Sequence, residues 1–318
     1  MKLKIDFEIA QNELAQTWPS FFMLGSCFAQ NQADRMAQLG FDVVSNPFGI
    51  IYNPVSIQNL LQRMGNNTAY TETDFNRRDT VFSWEHHGDF KYSGVAPAIE
   101  TSNAILTTAR QAAQKADVIL LTLGTSFVHT HNNILVANCH KIANHEFEQK
   151  QLTFDETKTS IEQSVSLIKQ LNPTASIIIT VSPVRHLRSG IIENSRSKAV
   201  LLAALHEVLP SFTNVTYFPS YELLIDELRD YRFAKEDMTH PTPQAETYIW
   251  DRFCETYFTA TTRDIIEHVK KYNLFAAHRP IHSANEHLQK VAEKRNTLQL
   301  TYPFLKIKYL TSLVNFLK

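Results

Sequence analysis

Short apolar runs rich in β-branched residues alternate with longer stretches of helical periodicity over the first 220 residues. The runs are SFFMLG (20–25), DVILLTLG (117–124), ASIIITVSP (175–183) and NVTYFPS (214–220), with FDVVS (41–45) as a fifth that we expect at a sheet edge. Parallel strands joined by covering helices produce this alternation. The pattern predicts an α/β protein built on a parallel sheet.

Helical periodicity fills the segments between the predicted strands. It predicts helices over residues 28–39, 103–116, 155–171 and 194–209, and a last core helix that begins near Pro243. After about residue 260 the strand signals stop. We therefore expect one α/β domain over residues 1–258 and a helical C-terminal extension over residues 259–318.

Two segments lack this alternation of predicted strands and helices. Residues 66–97 are rich in turn-forming and aromatic residues without a sustained period, which predicts a long excursion of the kind that often lines a site. The segment FVHTHNNILVANC predicts a hairpin that turns at Asn132-Asn133. Two interpretations apply to Trp84 in the excursion: its ring stacks on a bound sugar, or it packs in a small core that its own loop covers. We favour the second.

The composition narrows the class of partner. Apolar residues make up 43% of the chain, and its 31 basic residues balance 32 acidic ones. Such a chain folds as a globular protein without the positive field that gathers phosphate backbones, so we expect a small-molecule partner and no nucleic acid.

Cysteine usage and hydropathy bear on the compartment. Three widely spaced cysteines, Cys27, Cys139 and Cys254, resemble neither a disulfide framework nor a zinc site. The start of the chain has no apolar signal region, and no later run reaches the length of a membrane span. We expect a cytoplasmic protein without an integral membrane segment.

Two short polar segments carry candidate chemistry. Ser26 follows the first predicted strand and precedes a helix, a position at the carboxyl edge of the sheet that suits a nucleophile as well as a simple N-cap. Asp237 and His240 stand three residues apart, so the carboxylate can fix the imidazole tautomer and leave the other ring nitrogen to accept a proton from a hydroxyl. Each signal is weak alone, and the α/β pattern strengthens them by bringing both to one edge.

Eight blocks in order resemble the GSCFA domain family, which is related to the SGNH or GDSL-like hydrolases. The blocks are LGSCFA (24–29), NPFGIIYNP (46–54), LTLGTSFV (121–128), VANCHK (136–141), SPVRH (182–186), YFPSYEL (217–223), DELRDYRF (226–233) and DMTHP (237–241). The resemblance spans residues 20–258 and implies a three-layer α/β/α, flavodoxin-like fold. It also implies a Ser-His-Asp triad of Ser26, His240 and Asp237.

The same resemblance implies an oxyanion hole, with one departure. Relatives use the N–H of the nucleophilic serine, a glycine of the second block and an asparagine of the third block. Ser26 and Gly49 match the first two, but the asparagine position falls on Ser126. Loss of one such donor costs about two to three orders of magnitude in rate. Candidates for its replacement are Thr125, Ser126, Asn46 and Arg185.

Substrate contacts are expected at the same edge. Arg185 and His186 follow the predicted strand at 175–183, and an arginine there can hold a carboxylate, a phosphate or sugar hydroxyls; a surface ion pair is the alternative. Asn46 in the second block is a further candidate. The pairs His86-His87 and Cys139-His140 lack partners at zinc-site spacing, so we expect no metal, and the chemistry requires no cofactor.

These observations favour a serine-dependent ester hydrolase, with a carbohydrate O-deacylase as the leading form by analogy with the superfamily. An acyltransferase on the same triad and a non-catalytic ligand-binding module remain alternatives, and Cys27 as the nucleophile is a weaker one. The basic apolar tail at residues 301–318 is expected to pack on its own domain rather than on a membrane or a second subunit. The acyl group, the acceptor and the oligomeric state stay open at this stage.

Overall fold

A five-stranded parallel sheet forms the centre of the protein. The computed structural model describes residue 5 and residues 7–278 and 284–307. The sheet has the order β10-β9-β5-β1-β2. The strands of the described residues are β1 (Phe21–Gly25), β2 (Val43–Ser45), β3 (Asn76–Arg77), β4 (Val81–Phe82), β5 (Val118–Leu123), β6 (Phe127–His131), β7 (Ile134–Val136), β8 (Glu148–Gln151), β9 (Ser176–Val181) and β10 (Val215–Phe218).

The five predicted runs are the five strands of this sheet, and β2 lies at its edge as expected. Counting these strands alone along the chain, their order is 2-1-3-4-5, the flavodoxin-like arrangement. Side chains of β1 are buried on both faces, Phe21 and Met23 on one and Phe22 and Leu24 on the other. Burial on both faces explains why these strands read as continuous apolar runs rather than as alternating ones. The predicted fold class is confirmed.

Two helical layers cover the sheet. The helices are α1 (Cys27–Gln38), α2 (Pro54–Asn66), α3 (Val95–Lys115), α4 (Phe154–Leu171), α5 (Ile191–Val208), α6 (Ser220–Glu222), α7 (Pro243–Tyr257), α8 (Ala260–Ala277) and α9 (Ala284–Thr301). Helices α1, α7 and α8 pack on one face, and α2 to α5 pack on the other. The three layers follow from the alternation of strands with amphipathic helices.

Helix α2 was not predicted, although its start carries a local signal. Asn53 caps the helix by accepting a hydrogen bond from the Ser56 N–H at 2.9 Å, and Pro54 occupies its first turn. Helix α3 begins at Val95, well before the predicted start at residue 103. Both differences lie beside the excursion, where turn-forming residues obscure the helical period.

The excursion and the hairpin pack against each other. Strands β6 and β7 pair as predicted, with Asn132 and Asn133 in the left-handed conformation of a tight turn, and β8 adds a third strand that was not predicted. Trp84 is buried with Phe82 and Val136 in a small cluster. The aromatic residues of the excursion therefore cover their own core, and Trp84 does not form a shelf for a sugar.

The C-terminal helices are joined to the body of the protein. Helix α8 buries Ile265, Ile266 and Val269 in the cluster that covers the α1 face of the sheet. Beyond α9, Leu305 is buried and the Lys306 N–H donates to the Gly40 carbonyl at 2.8 Å. The described start of the tail thus packs on its own chain, while residues 308–318 lie outside the described residues. The division at residue 258 stays a prediction. None of the helices within residues 7–278 and 284–307 is both long and apolar enough to cross a bilayer.

Candidate active site

The candidate site lies at the carboxyl edge of the sheet, where β1 meets β5. Connections leave this point in opposite directions, β1 leading outward to β2 and β5 leading outward to β9. Open α/β sheets bind ligands in the crevice at such a switch point. Ser26 follows β1, Gly124 follows β5 and Ser182 follows β9, so the three residues stand side by side at this edge.

The turn after β1 is held in a conformation that only glycine adopts easily. Gly25 has a φ of +143°, and a Cβ placed there would lie 2.3 Å from the Thr122 carbonyl oxygen. Its N–H donates to Asn46 Oδ1 at 2.8 Å. The close approach of β5 and the Asn46 side chain therefore fix the position of Ser26.

Ser26 occupies the N-cap position of α1 without capping the helix. Its side chain makes no capping hydrogen bond and instead donates to Ser182 Oγ at 3.0 Å. The side chain is fully buried. The N-cap interpretation is therefore wrong for this hydroxyl, which the strand-to-helix turn directs toward the neighbouring loop after β9.

Asp237 and His240 form the pair that their spacing predicts. Asp237 Oδ1 accepts hydrogen bonds from the backbone N–H groups of Thr239 and His240, each at 2.9 Å, and Oδ2 lies 2.7 Å from His240 Nδ1. These donors, the His240 N–H first, hold the pKa of Asp237 well below its usual range. An ionised carboxylate at this distance places the ring proton on Nδ1, which leaves Nε2 as a proton acceptor.

The loop after β9 links this pair to the serine. Ser182 at its start accepts from the Ser26 hydroxyl, and the Arg185 N–H at its end donates to the Thr239 carbonyl at 3.1 Å. The contact with Ser26 and the contact with the His240 loop are thus only three positions apart along the chain. The described hydrogen bonds do not include a direct one between Ser26 and His240. Catalytic hydrogen bonds are often long or poorly aligned without substrate.

The two amides expected in the oxyanion hole are engaged in backbone hydrogen bonds. The Ser26 N–H donates to the Thr122 carbonyl at 3.2 Å, and the Gly49 N–H donates to the Asn46 carbonyl at 2.7 Å. Each amide has to exchange this partner before it can bind an oxyanion. Their role in the oxyanion hole stays a prediction.

The third block is tied to α5. The Ser126 N–H donates to Ser197 Oγ at 2.7 Å, and the hydroxyls of Ser126 and Thr125 lie 3.2 and 2.9 Å from the same oxygen. Ser126 is fully buried, and Thr125 nearly so. In this arrangement the Ser126 and Thr125 side chains contact α5, and their role in the oxyanion hole stays a prediction.

The three predicted substrate contacts differ in their surroundings. Asn46 is buried, and it accepts from the Gly25 N–H and donates to Gln30 Oε1 at 3.3 Å, so its amide supports the turn. The His186 ring stacks on Tyr52 with centroids 4.7 Å apart. Arg185 lines an open cavity of about 330 Å³ together with His240. Of the three, Arg185 is the one in the lining of this cavity, and all three substrate contacts stay predictions.

Comparison with protein-family models assigns the chain to a family. The model of the GSCFA family matches residues 20–253, which include Ser26, Asp237 and His240. The chain belongs to the GSCFA family. None of the curated proteins matches the chain.

Several solved structures are similar to this GSCFA protein at low identity. A carbohydrate esterase family 3 structure from Talaromyces cellulolyticus is 10% identical, with a TM-score of 0.37, over 80% of this chain and 99% of that chain. An acetyl xylan esterase from the rumen bacterium Butyrivibrio proteoclasticus is 10% identical, with a TM-score of 0.34, over 84% and 65% of the two chains. A salicylyl-acyltransferase from a tetracycline biosynthetic pathway is 10% identical, with a TM-score of 0.36, over 76% and 55%. The fold of the GSCFA protein is assigned from its own strand order.

In this GSCFA protein the Cys27 thiol follows Ser26 directly, and its surroundings disfavour nucleophilic reactivity. Cys27 is the first residue of α1 and is partly buried. Burial raises its pKa above the ordinary value, which disfavours the thiolate that a cysteine nucleophile needs. Burial therefore disfavours Cys27 as a nucleophile, and the choice of Ser26 stays a prediction.

Sequence reasoning missed the polar face of α5 behind the site. Asn194 accepts from the His186 N–H at 2.9 Å, Ser197 binds the third block, and Lys198 donates to two backbone carbonyls. All three side chains are buried. Their spacing of three and four residues was the available signal, because it places them on one face of a helix that has to pack on a sheet.

Two of the histidines considered as metal ligands, His86 and His140, take part in packing and hydrogen bonding in the GSCFA protein. His86 is buried and stacks on Phe48 at 4.9 Å, and His140 Nε2 lies 2.9 Å from the Ser83 carbonyl oxygen. Within residues 7–278 and 284–307, no three His, Cys, Asp or Glu side chains are grouped so as to hold a metal ion. The expectation of a metal-free site stays a prediction.

Burial of His86 predicts an acid-sensitive fold. Burial lowers the pKa of His86 to about 3, whereas it is about 6.5 in an unfolded chain. Between these values the unfolded chain binds a proton that the folded chain does not, so this histidine makes the free energy of unfolding fall as pH falls from 6.5 to 3. We expect His86→Phe to flatten this dependence by up to about 1.4 kcal/mol per pH unit, measured by urea unfolding at several pH values. The exposed His145→Phe serves as control. Equal slopes of the free energy of unfolding against pH in His86→Phe and wild type would contradict the low pKa assigned to His86.

Proposed function

We propose that this GSCFA protein is a serine-dependent ester hydrolase with Ser26 as nucleophile, His240 as general base and Asp237 as the group that orients it. The observation that carries the proposal is the Asp237–His240 pair, held at 2.7 Å on a loop that is hydrogen-bonded to the segment contacting Ser26. A hydroxyl on a strand-to-helix turn that does not cap its helix is the second support.

The first half of the reaction forms an acyl-enzyme. Ser26 Oγ attacks the acyl carbonyl carbon while its proton passes to His240 Nε2, and the carbonyl π electrons move to oxygen. The oxyanion accepts from the Ser26 and Gly49 N–H groups, with the positive end of α1 beside it. When the tetrahedral species collapses, the ester C–O bond breaks and His240 returns the proton to the leaving alcohol.

The second half releases the acyl group. A water molecule gives its proton to His240 Nε2 as its oxygen attacks the acyl carbon, and the Ser26 oxygen leaves with the proton that His240 then returns. An acceptor hydroxyl in place of water makes the same site an acyltransferase. Both reactions need the Ser26 hydroxyl to turn its proton from Ser182 Oγ to His240 Nε2, while Ser182 Oγ stays beside Ser26 Oγ and becomes the donor of their hydrogen bond.

A carbohydrate ester is the substrate class that we propose. The cavity beside His240 is rimmed by hydrogen-bond donors of the kind that bind sugar hydroxyls, including Arg185, Arg229 and Thr239, and by the exposed ring of Tyr231. Guanidinium donors and an aromatic face suit a polar ring with an apolar side. We propose Arg185 as a contact of such a ligand, because it lines this cavity and its N–H is hydrogen-bonded to the His240 loop.

A non-catalytic ligand-binding module is the second candidate. The full burial of Ser26, together with the internal hydrogen bonds of the Ser26 and Gly49 amides, favours it. The two candidates differ in one respect, which is whether Ser26 reacts.

Labelling with a fluorophosphonate probe separates the candidates. We expect the wild type and Cys27→Ala to form an adduct on Ser26, identified by peptide mass spectrometry, and Ser26→Ala to form none. The same three proteins are assayed on short-chain p-nitrophenyl esters and acetylated sugars. A wild type that shows neither adduct nor hydrolysis would support the binding module, and labelling of Cys27 in place of Ser26 would reverse the choice of nucleophile.

A further inference from the structure

Helix α5 directs a buried polar face at the carboxyl edge of the sheet. Asn194, Ser197 and Lys198 lie on this face in the first half of the helix, and the apolar residues Leu201 and Leu205 continue it toward the sheet. A helix that covers a sheet normally buries an apolar stripe. Polar side chains at this depth require specific partners, and all three have them in the loops after β5 and β9.

Lys198 is the most unusual of the three. Its side chain is 1% exposed, and Nζ donates to the Gly124 and Ser182 carbonyls, each at 2.7 Å. Among the described ion pairs, none joins Lys198 to a carboxylate. Burying an ammonium without a counter-ion costs folding free energy. We therefore expect Lys198 to have a role that offsets this cost.

The two carbonyls belong to the two loops that build the site. Gly124 directly precedes Thr125 and Ser126 of the third block. Ser182 accepts from Lys198 through its carbonyl and from Ser26 through its hydroxyl, so a single residue separates the ammonium from the nucleophile. A shift of Ser182 therefore moves the hydrogen-bond partner of Ser26.

The protonation state of Lys198 does not alter this connection. Burial lowers its pKa to about 7, and the titratable or charged groups that act on it or lie beside it are Cys27, Arg185, His186 and the Tyr221 ring. An ammonium has three hydrogens and a neutral amine has two, so both forms can donate to both carbonyls. The link between the loops thus persists on either side of neutrality.

We propose that Lys198 is a positioning residue, which joins the ends of β5 and β9 through the Gly124 and Ser182 carbonyls and so sets the position from which Ser26 reacts. This inference rests on the proposed function. It assigns a role in the reaction to a side chain that touches neither substrate nor nucleophile.

The experiment compares rates of fluorophosphonate labelling at Ser26. We expect Lys198→Met, which keeps the volume but removes both donors, to lower the second-order labelling rate by about tenfold to 100-fold, because small displacements of a nucleophile have effects of this size. Lys169→Met is the matched control, since Lys169 Nζ also donates to a backbone carbonyl, that of Thr213 at 2.7 Å, but on the exposed surface of α4. The control should label at the wild-type rate.

A double-mutant cycle with Ser182→Ala tests the route of the effect. Ser182→Ala removes only the hydroxyl and should itself slow labelling. If Lys198 acts through Ser182, the double variant should label less than twofold more slowly than the slower single variant. Multiplicative effects in a folded double variant would reduce Lys198 to general support of the fold and overturn the proposal.

The outcomes distinguish a failure of the role proposed for Lys198 from a failure of the proposed serine hydrolase activity. An unlabelled wild type would remove the serine hydrolase itself. A labelled wild type, together with a folded Lys198→Met that labels at the same rate, would overturn only the role of Lys198. If Lys198→Met does not fold, Ser182→Ala alone decides, because an unchanged labelling rate there removes the connection to Ser26.

Discussion

Asp237→Asn should reduce ester hydrolysis about 10⁴-fold while leaving the fold intact. Asp237 Oδ1 accepts the Thr239 and His240 N–H groups, and Oδ2 faces His240 Nδ1. In the variant, the new amide keeps its oxygen on the two N–H donors, so its NH₂ group faces Nδ1. The imidazole then has to carry its proton on Nε2, the nitrogen that has to accept the proton of Ser26.

His240→Gln should lose at least as much activity, because a glutamine side chain cannot take the proton of the serine. Both variants are measured as kcat/KM on the ester that the wild type hydrolyses best. Asp155→Asn, an exposed carboxylate in the first turn of α4, is the matched control and should remain within about twofold of the wild type. A folded Asp237→Asn with more than a tenth of wild-type activity would remove the carboxylate from the mechanism.

Gly25→Ala should destabilise the protein by about 3 kcal/mol or more and slow any surviving reaction at Ser26. The new Cβ would lie 2.3 Å from the Thr122 carbonyl oxygen in the central strand β5, and φ is +143°. Neither group can yield easily, because both belong to the backbone of paired strands. A displaced Gly25 would also lose its hydrogen bond to Asn46 and carry Ser26 with it.

Two other glycines separate the steric clash from backbone strain. Gly190→Ala meets no atom within 4 Å but has a φ of +96°, so it should show backbone strain alone, about 1–3 kcal/mol. Gly65→Ala lies in α2 with its nearest neighbour, Leu167 Cδ2, at 3.9 Å, and should be neutral or stabilising by up to about 1 kcal/mol. Urea unfolding measures the free energy of unfolding of all three glycine variants. A Gly25→Ala as stable as Gly65→Ala would contradict the close approach of β1 and β5.

The candidate triad residues could be proposed from the sequence because their signals are local and because the blocks that contain them resemble the GSCFA family. Asp237 and His240 are three residues apart, and their hydrogen bond follows from that spacing within one turn. Ser26 follows an apolar run and precedes a helix, which places it at the carboxyl edge of a sheet. Motif and pattern thus suffice where partner residues share a turn or a strand end.

The hydrogen bonds that support the candidate site could not be predicted from the sequence, for a different physical reason. Ser26 and Ser182 are hydrogen-bonded across 156 positions, and this contact depends on which strands are neighbours in the sheet. Lys198 binds two backbone carbonyls, which every residue carries and which therefore leave no mark in the side-chain pattern. The same holds for the amides of Ser26 and Gly49, whose carbonyl partners no motif reveals.

The sequence by itself determined the parallel α/β architecture, the edge position of β2, the hairpin at Asn132-Asn133 and the pairing of Asp237 with His240. Hydropathy period and residue spacing encode these features, because each depends on neighbours along the chain. Only the tertiary structure decided that Ser26 turns to Ser182 instead of capping α1, that Ser126 turns to Ser197, and that Lys198 joins two strand ends. Those contacts follow from strand order and close packing, which bring together groups that are distant along the chain.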